Sequence, residues 1–323
     1  MSLFVESEPE SEPICHVEES FTASTTQIGH LSDIFQSLVS ISNQAIIRIK
    51  ESGITIYSSY NHTFNVNVNI DPSLFSIYQM SGGEEFALGV DLSLIGECFG
   101  SVASTLKYEK SVTCYLTYSG EGSPLVIEFE DSFILEKLEF YTFVIEEEDG
   151  LGIDYESVEM EAIVRSDVLT NVMQDLYSID TENLFVYAEA DTLHFISNGP
   201  IGTSKLIFPN DKAVLEKMEI KGRYVITQFS FEVFYRIFRS VKLSSKCKLV
   251  KDENGCFSVQ LLCQKVGTSG YSGTLVTINM MEVSHDEVMT GAILQEQEKP
   301  VLVEVQSSWR GKVGGVVEVP LYL

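Results

Sequence analysis

Apolar and polar positions along the chain repeat one local pattern four times: an amphipathic helix, a strand, a polar turn and another strand. The helical stretches begin near Gln27, Leu92, Asp167 and Ser230. Their apolar residues recur at i, i+3, i+4 and i+7, as in Ile28, Leu31, Ile34, Phe35 and Leu38, or in Phe231, Phe234, Tyr235, Phe238 and Val241. That is the spacing of a single buried helical face. After each helix the period changes to two. Phe64, Val66, Val68 and Ile70 alternate with Asn65, Asn67 and Asn69, so one face of that strand is expected in a core and the other in water. Similar runs are Ala45 to Lys50 and Gly53 to Tyr57 in the first unit, and Thr105 to Tyr108, Val112 to Tyr118, Leu125 to Phe129 and Glu139 to Phe143 in the second. The third has Leu184 to Ala188 and Leu193 to Ser197, the fourth Cys247 to Val250 and Phe257 to Leu262.

Short Asp, Asn and Gly turns between these runs predict antiparallel hairpins, because parallel pairing needs a longer crossover. The units recur at roughly 65 to 75 residues, too far apart for a solenoid, which predicts one βαβββ unit used four times. The expected fold class is α+β: two tandem domains of two units each, with antiparallel sheets covered by helices on one face. Residues 1–20 are an acidic tail too poor in apolar groups to pack. The first domain is 21–143, and a connector at 144–157 holds the acidic run Glu146 to Asp149 with Gly150 and Gly152. The second domain is 158–283, and 284–323 reads as a tail carrying the only tryptophan, Trp309, and an apolar end from Val316 to Leu323.

A chain of 323 residues can bury two cores without disulfides or metals. Its cysteines, Cys15, Cys98, Cys114, Cys247, Cys256 and Cys263, form no C-x-x-C pair and read as reduced thiols of an intracellular protein. No secretory leader or membrane-length apolar run is expected. The net charge of −26 excludes a surface coated with DNA-binding lysines. The cations are unevenly placed, however: 11 of the 21 Lys and Arg lie between Lys205 and Lys251, among four acids. On the fourth helix Arg236, Arg239 and Lys242 fall opposite the apolar side, as a candidate polyanion contact.

Catalytic patterns are missing. The five histidines lack metal-ligand spacing, Gly311 to Gly315 lacks the strand and helix of a phosphate cradle, and Ser269 and Ser272 miss the spacing of a nucleophile elbow. Glu128, Glu130 and Asp131, like Glu189 and Asp191, follow an outward strand face more closely than a two-metal site. No catalytic residue, metal or cofactor is expected.

Particular strings resemble the sliding-clamp family of proliferating cell nuclear antigen. Leu88-Gly89-Val90-Asp91-Leu92-Ser93 resembles the family's M-G-V-N-L-T at its second helix. Leu151-Gly152-Ile153 matches the L-G-I after its connector, Leu243-Ser244-Ser245 the L-S-S after its fourth helix, and Asp175-Leu176 with Ile179 the D-L and I of its third. The resemblance covers about Phe21 to Met281. Where the family carries basic residues on its inner helices, this chain has Val39, Glu97, Gly100, Asn171, Gln174 and Glu232, and only Arg239 keeps its charge. That departure is similar to a subunit of the heterotrimeric DNA-damage checkpoint clamp, the nine-one-one complex, of the Rad-one type.

The resemblance implies a nuclear, non-catalytic ring subunit. It would be placed around double-stranded DNA by an ATP-dependent loader, beside two other clamp-like subunits, as a platform for checkpoint kinase and repair factors. DNA would meet Arg236, Arg239 and Lys242. Edge strands at Val112 to Tyr118 and Leu193 to Asn198 would join neighbouring subunits through Val112, Cys114, Tyr115, Leu116, Leu193, Phe195 and Ser197. Partner proteins would dock at His62, Phe64, Leu151 and Ile153. The alternatives are a 3′–5′ exonuclease using Glu128, Glu130 and Asp131, and a homotrimeric replicative clamp.

Overall fold

The computed structural model describes residues 20–82, 85–106, 111–144, 150–264, 273–284 and 287–298. The acidic run Glu146 to Asp149, the serines Ser269 and Ser272, Trp309 and nearly all of the acidic tail lie outside these. Four βαβββ units run through the chain. The first is β1 (Ser20–Thr25), α1 (Ile28–Val39), β2 (Gln44–Lys50), β3 (Gly53–Tyr60) and β4 (Phe64–Ile70), followed by an extra strand β5 (Ile77–Ser81). The second is β6 (Glu85–Asp91), α2 (Leu92–Thr105), β7 (Thr113–Tyr118), β8 (Leu125–Glu130) and β9 (Leu135–Phe140). The third is β10 (Val158–Arg165), α3 (Ser166–Ser178), β11 (Asn183–Glu189), β12 (Thr192–Gly199) and β13 (Gly202–Pro209), with β14 (Leu215–Ile220) as its extra strand. The fourth is β15 (Tyr224–Ser230), two short helices α4 (Phe231–Tyr235) and α5 (Phe238–Val241), then β16 (Lys246–Asp252), β17 (Cys256–Cys263) and β18 (Thr274–Met281). From Ser284 a second compact unit begins, and where a tail was expected it holds the helix α6 (Glu287–Glu298).

All strand pairs are antiparallel. The units interlock in pairs: β1 pairs with β7 and β6 with β2, and likewise β10 with β16 and β15 with β11. One sheet runs β5-β1-β7-β8-β9 and another β13-β12-β11-β15. The third, β14-β10-β16-β17-β18-β4-β3-β2-β6, crosses the molecule because β18 pairs with β4. Phe64, Val66, Val68 and Ile70 bury their side chains beneath the helices, as the alternation predicts. A single apolar cluster extends from Phe21 to Met280.

Local chemistry fixes several boundaries. Asp91 begins α2 by accepting hydrogen bonds from the backbone N–H of Ser93 at 2.9 Å and Leu94 at 3.4 Å, which satisfies donors the helix leaves open. With its hydroxyl bond to Ser93 as the main cause, the carboxyl is held below the usual carboxylate range. Thr105, expected to open a strand, instead closes α2. Asn61 and His62 both adopt positive φ, at 52° and 54°, in the three-residue loop that joins the paired Tyr60 and Phe64 of the β3–β4 hairpin. The fourth helix, expected to be continuous, breaks after Tyr235, where Arg236 and Ile237 donate to the carbonyls three residues back. That tighter geometry turns Arg236 across to α1: its Nη1 donates to the Ile41 carbonyl at 3.2 Å, and its guanidinium lies 3.9 Å from the Tyr60 ring centre. Ser40 Oγ donates to the Arg236 carbonyl at 3.2 Å.

On β12 the buried imidazole of His194 meets Thr192 Oγ1 at 2.8 Å and packs against Tyr187. Burial pushes its pKa down to about 4; Lys205 adds to this and Glu189 opposes it.

Three stability predictions follow from these placements. Phe64→Ala empties a fully buried site and should cost about 3–5 kcal/mol, read as a lower midpoint in urea unfolding. Arg236→Ala removes a charged hydrogen bond and a ring contact and should cost about 1–3 kcal/mol, whereas the exposed Arg239→Ala should cost less than about 1 kcal/mol. Because the native state holds His194 below the unfolded value of about 6.5, its contribution to stability is present above pH 6.5 and lost as pH falls toward 4. The midpoint should drop over that range less steeply in His194→Gln than in the parent chain.

Candidate nucleic-acid face and docking groove

The helical layer is short of cations. Helices α1, α2 and α3 contain no Lys or Arg, and their exposed positions include Asp33, Glu97, Asn171, Gln174 and Asp175. Of the three expected DNA-facing residues, Arg239 and Lys242 are exposed. Arg236 is engaged with Ile41 and Tyr60, so it is half-buried as a strut. Arg239 Nη1 lies 3.5 Å from the Gln36 carbonyl, near the negative end of the α1 dipole. Aromatic rings fill the space between α3 and α5: Tyr177 stacks on Tyr235 at 4.7 Å, Tyr235 on Phe238 at 4.9 Å, and Lys242 Nζ caps Phe238 at 4.0 Å. Beside them a cleft of about 720 Å³ is lined by Arg165, Asn171, Lys212, Lys242 and Lys246. Arg165 is paired with Asp167, and Lys246 with Glu216 at 2.8 Å. Among the described residues the exposed cations best placed for an external phosphate are therefore Lys212, Arg239 and Lys242. The density of basic residues in the sequence after Lys205 was the signal for Lys212.

The expected edge strands lie inside the sheets, β7 at the centre of its five strands and β12 one strand from the end of its four. β7 is paired on both sides, by β1 and β8, and β12 by β11 and β13. Cys114, Leu193, Phe195 and Ser197 are buried in the core and Val112 nearly so, while Tyr115 and Leu116 are half-buried. None of the seven sits on a free edge, because strand hydrophobicity marks a strand buried on both sides as readily as one awaiting a neighbour. The sheet that holds β7 ends at β5 and β9, and the sheet that holds β12 ends at β13 and β15. Around β9, Phe133, Ile134 and Leu135 are exposed, and at β13 so are Ile201 and Ile207.

The connector from Gly150 to Tyr155 lies across the outer face of the long sheet. The Leu151 carbonyl accepts from Asn65 Nδ2 at 2.9 Å and from Asn279 Nδ2 at 2.8 Å, and Asn279 Nδ2 also donates to Asn65 Oδ1 at 3.1 Å. Asp154 N–H donates to buried Asp252 at 3.0 Å, and Gln260 donates to the Tyr155 hydroxyl at 2.7 Å. A Cβ on Gly150 would stand 3.2 Å from the Tyr57 hydroxyl and 3.3 Å from Asn65 Nδ2, so a larger residue there would have to push these two side chains aside by a few tenths of an ångström. Beneath the connector is a groove of about 440 Å³, lined in part by Ile46, Arg48, Tyr57, Asn67, Leu151 and Ile153. Of the four expected docking residues, Leu151 and Ile153 line it. Phe64 points to the opposite, buried face of β4, and exposed His62 serves the β3–β4 turn away from the groove lining.

Among the described residues no three His, Cys, Asp or Glu side chains are grouped to hold a metal ion. Glu128 Oε1 is 3.8 Å from Lys137 Nζ. The thiols of Cys114, Cys256 and Cys263 are pushed up to about 12, and that of Cys247 to about 11, by burial, so they are poor nucleophiles.

Comparison with known proteins agrees with this geometry. The solved PCNA2-PCNA3 complex of Sulfolobus tokodaii superposes with a TM-score of 0.67 at 14% identity, covering 81% of this chain and 98% of that one. Proliferating Cellular Nuclear Antigen of Entamoeba histolytica does so with 0.67 at 13%, covering 82% and 99%. At such identities the likeness is one of fold. DNA damage checkpoint control protein RAD17 of Saccharomyces cerevisiae is 30% identical over 263 residues, which are 76% of this chain and 65% of that protein. DNA damage checkpoint control protein rad1 of Schizosaccharomyces pombe is 21% identical over 72% of this chain and 77% of its own. The family described as Repair protein Rad1/Rec1/Rad17 matches residues 20–263. With that match over most of the chain, the protein belongs to the Rad1/Rec1/Rad17 repair-protein family, and it has the fold of a sliding clamp.

Proposed function

We propose that this chain is a non-catalytic member of a heterotrimeric ring, set around double-stranded DNA in the nucleus by an ATP-dependent loader. There it serves as a platform for checkpoint kinase and repair factors. The observation that carries this reading is an internal repeat of pairing with two positions left empty. In the second half of the chain β18 ends one sheet, and it pairs with β4, which ends a sheet of the first half. The interlocked units make β9 the equivalent of β18, and β13 the equivalent of β4. Neither has a partner strand on its outer side among the described residues. A clamp-shaped neighbour offering the complementary strand would extend the same antiparallel pairing to each, covering Leu135 and Ile207. Open edges of this kind favour association.

The charge of the helical layer favours unlike neighbours over three copies. A homotrimer would repeat the same cation-poor surface around the hole, and phosphate contacts dominate non-specific DNA affinity. More basic partner subunits would supply what α1, α2 and α3 lack. Leu151 and Ile153 in the connector groove give the platform a place for partner proteins.

Assembly and DNA binding supply the test. Native mass measurement should find the chain alone without a homogeneous homotrimer, and a 1:1:1 complex on co-expression with two unlike clamp subunits. Ile207→Asp should weaken that complex. In the assembled ring, Arg239→Ala with Lys242→Ala should lower the slope of log affinity against log salt by about two at most, since each phosphate contact adds about 0.9, while assembly is retained. A stable homotrimer would overturn the reading, and an unchanged salt slope would remove these residues from the DNA face.

A further inference from the structure

Three aromatic rings stand in file on the helical layer. Tyr177 of α3 stacks on Tyr235 at 4.7 Å with the ring planes 20° apart, Tyr235 stacks on Phe238 at 4.9 Å and 14°, and Lys242 Nζ closes the far end over Phe238. The near end is open: Tyr177 is 60% exposed, and its ring partner among the described residues is Tyr235. An aromatic face left in water at the end of a stack is a place for one more flat ring. Lys242 belongs both to the stack and to the cleft of about 720 Å³ beside it. In that cleft Arg165 and Lys246 are taken up by Asp167 and Glu216, which leaves Lys212 and Lys242 without an acidic partner among the described residues. Thr170 and Asn171 add a hydroxyl and an amide to the lining.

Reach and charge give this strip a direction. Asn171 lines the cleft and Tyr177 lies six residues further along α3, about 9 Å at about 1.5 Å per residue, which is about three nucleotides of a stacked strand at about 3.4 Å each. The first turn of α3 lines the cleft through Ser166 and Asp167, and its last turn carries Tyr177, so the helix dipole draws an anion to the cleft end. Asp175, Asp180 and Glu232 are exposed near the ring end and turn phosphate away from it. Rings at one end and free lysines at the other are the two parts of a single-strand site: every base has a π face to stack, and the lysines follow the backbone. A duplex gives the rings nothing, because its bases are already stacked inside and its outer surface is phosphate.

We infer that this strip of the helical layer binds single-stranded DNA, an unpaired base stacking on Tyr177 while phosphates of the neighbouring nucleotides lie against Lys242 and Lys212. This rests on the DNA-facing reading of the helical layer given above and adds an unpaired strand as a ligand, which phosphate contacts alone would not select.

The whole site lies in one chain, so the test uses the full chain alone and the fluorescence anisotropy of labelled oligonucleotides of about 12 nucleotides. Oligothymidine should bind about tenfold more tightly than an abasic sugar-phosphate strand of the same length, the scale of one base stacked on an aromatic ring, and more tightly than a duplex of that length. Tyr177→Ala should bring the ratio of thymidine to abasic affinity close to one, Tyr177→Phe should keep it, and Lys212→Ala with Lys242→Ala should weaken both strands alike. Thermal unfolding of Tyr177→Ala near that of the parent chain separates lost stacking from lost fold. Oligothymidine carrying 5-iodouracil, irradiated in the near ultraviolet, should crosslink to the peptide that holds Tyr177. Equal affinity for thymidine and abasic strands, a duplex bound more tightly than either, or a ratio unmoved by Tyr177→Ala would overturn the inference. If the chain binds no single strand while the 1:1:1 complex still forms and binds duplex, the inference falls and the ring stands; a stable homotrimer in native mass measurement would remove the ring reading without touching the stacking result.

Discussion

The ladder between β4 and β18 is the contact on which the rest of the molecule depends. It joins residues about 200 positions apart, from Thr274 against Ile70 to Met280 against Phe64, and turns two interlocked halves into one nine-stranded sheet with one core. Backbone pairing of this kind has a fixed register. The same ladder therefore decides what stands on the outer face, where Asn65 meets Asn279, and what meets on the inner face, where the end of α1 reaches Arg236. A slip of one residue would turn Phe64, Val66 and Val68 to the solvent side and separate the amides that hold the connector.

Arg236 and Lys251 show how this acidic protein spends its few cations. Arg236 braces α4 against α1, and buried Lys251 is held by Glu159 at 2.9 Å and by the Asp252 carbonyl at 3.0 Å. Lys217 and Lys248 both pair with Glu161, at 2.7 and 2.9 Å, which holds that carboxyl below its usual range, hydrogen bonding to Lys217 being the largest cause. Much of the basic stretch after Lys205 thus stabilises the sheet of the second half. What remains for a polyanion is small, as the ring proposed above would require, since enclosure and not charge would retain the DNA.

Period and turn chemistry made most of the fold legible. The 3.6-residue and two-residue repeats mark α1, α2, α3 and nearly every long strand, because each has one face in the core. What could not be read depended on pairing across the chain. β7 and β12 are the more hydrophobic strands, and they are interior for that reason. The true ends, β9 with Glu136, Lys137 and Glu139 and β13 with Lys205 and Pro209, carry charges and proline, the residues with which edge strands resist indiscriminate pairing. That signal was present and pointed away from hydrophobicity. Asn65 reads as a solvated residue of an alternating strand, but it is buried because the connector, some 85 residues later, lies on it. The break between α4 and α5 involves neither Pro nor Gly, so a helical projection kept Arg236 beside Arg239.

The edges β9 and β13 are different strands, and this fixes the polarity of any assembly made through them. A joint between β9 of one subunit and β13 of the next is head-to-tail, so a closed ring of such joints has no two-fold axis in its plane. Its two flat faces are chemically distinct, and every subunit turns the same one in the same direction. Anything recognising one face of such a ring could tell which way it sits on a duplex whose ends differ, and opening at one joint would leave one edge of each kind exposed.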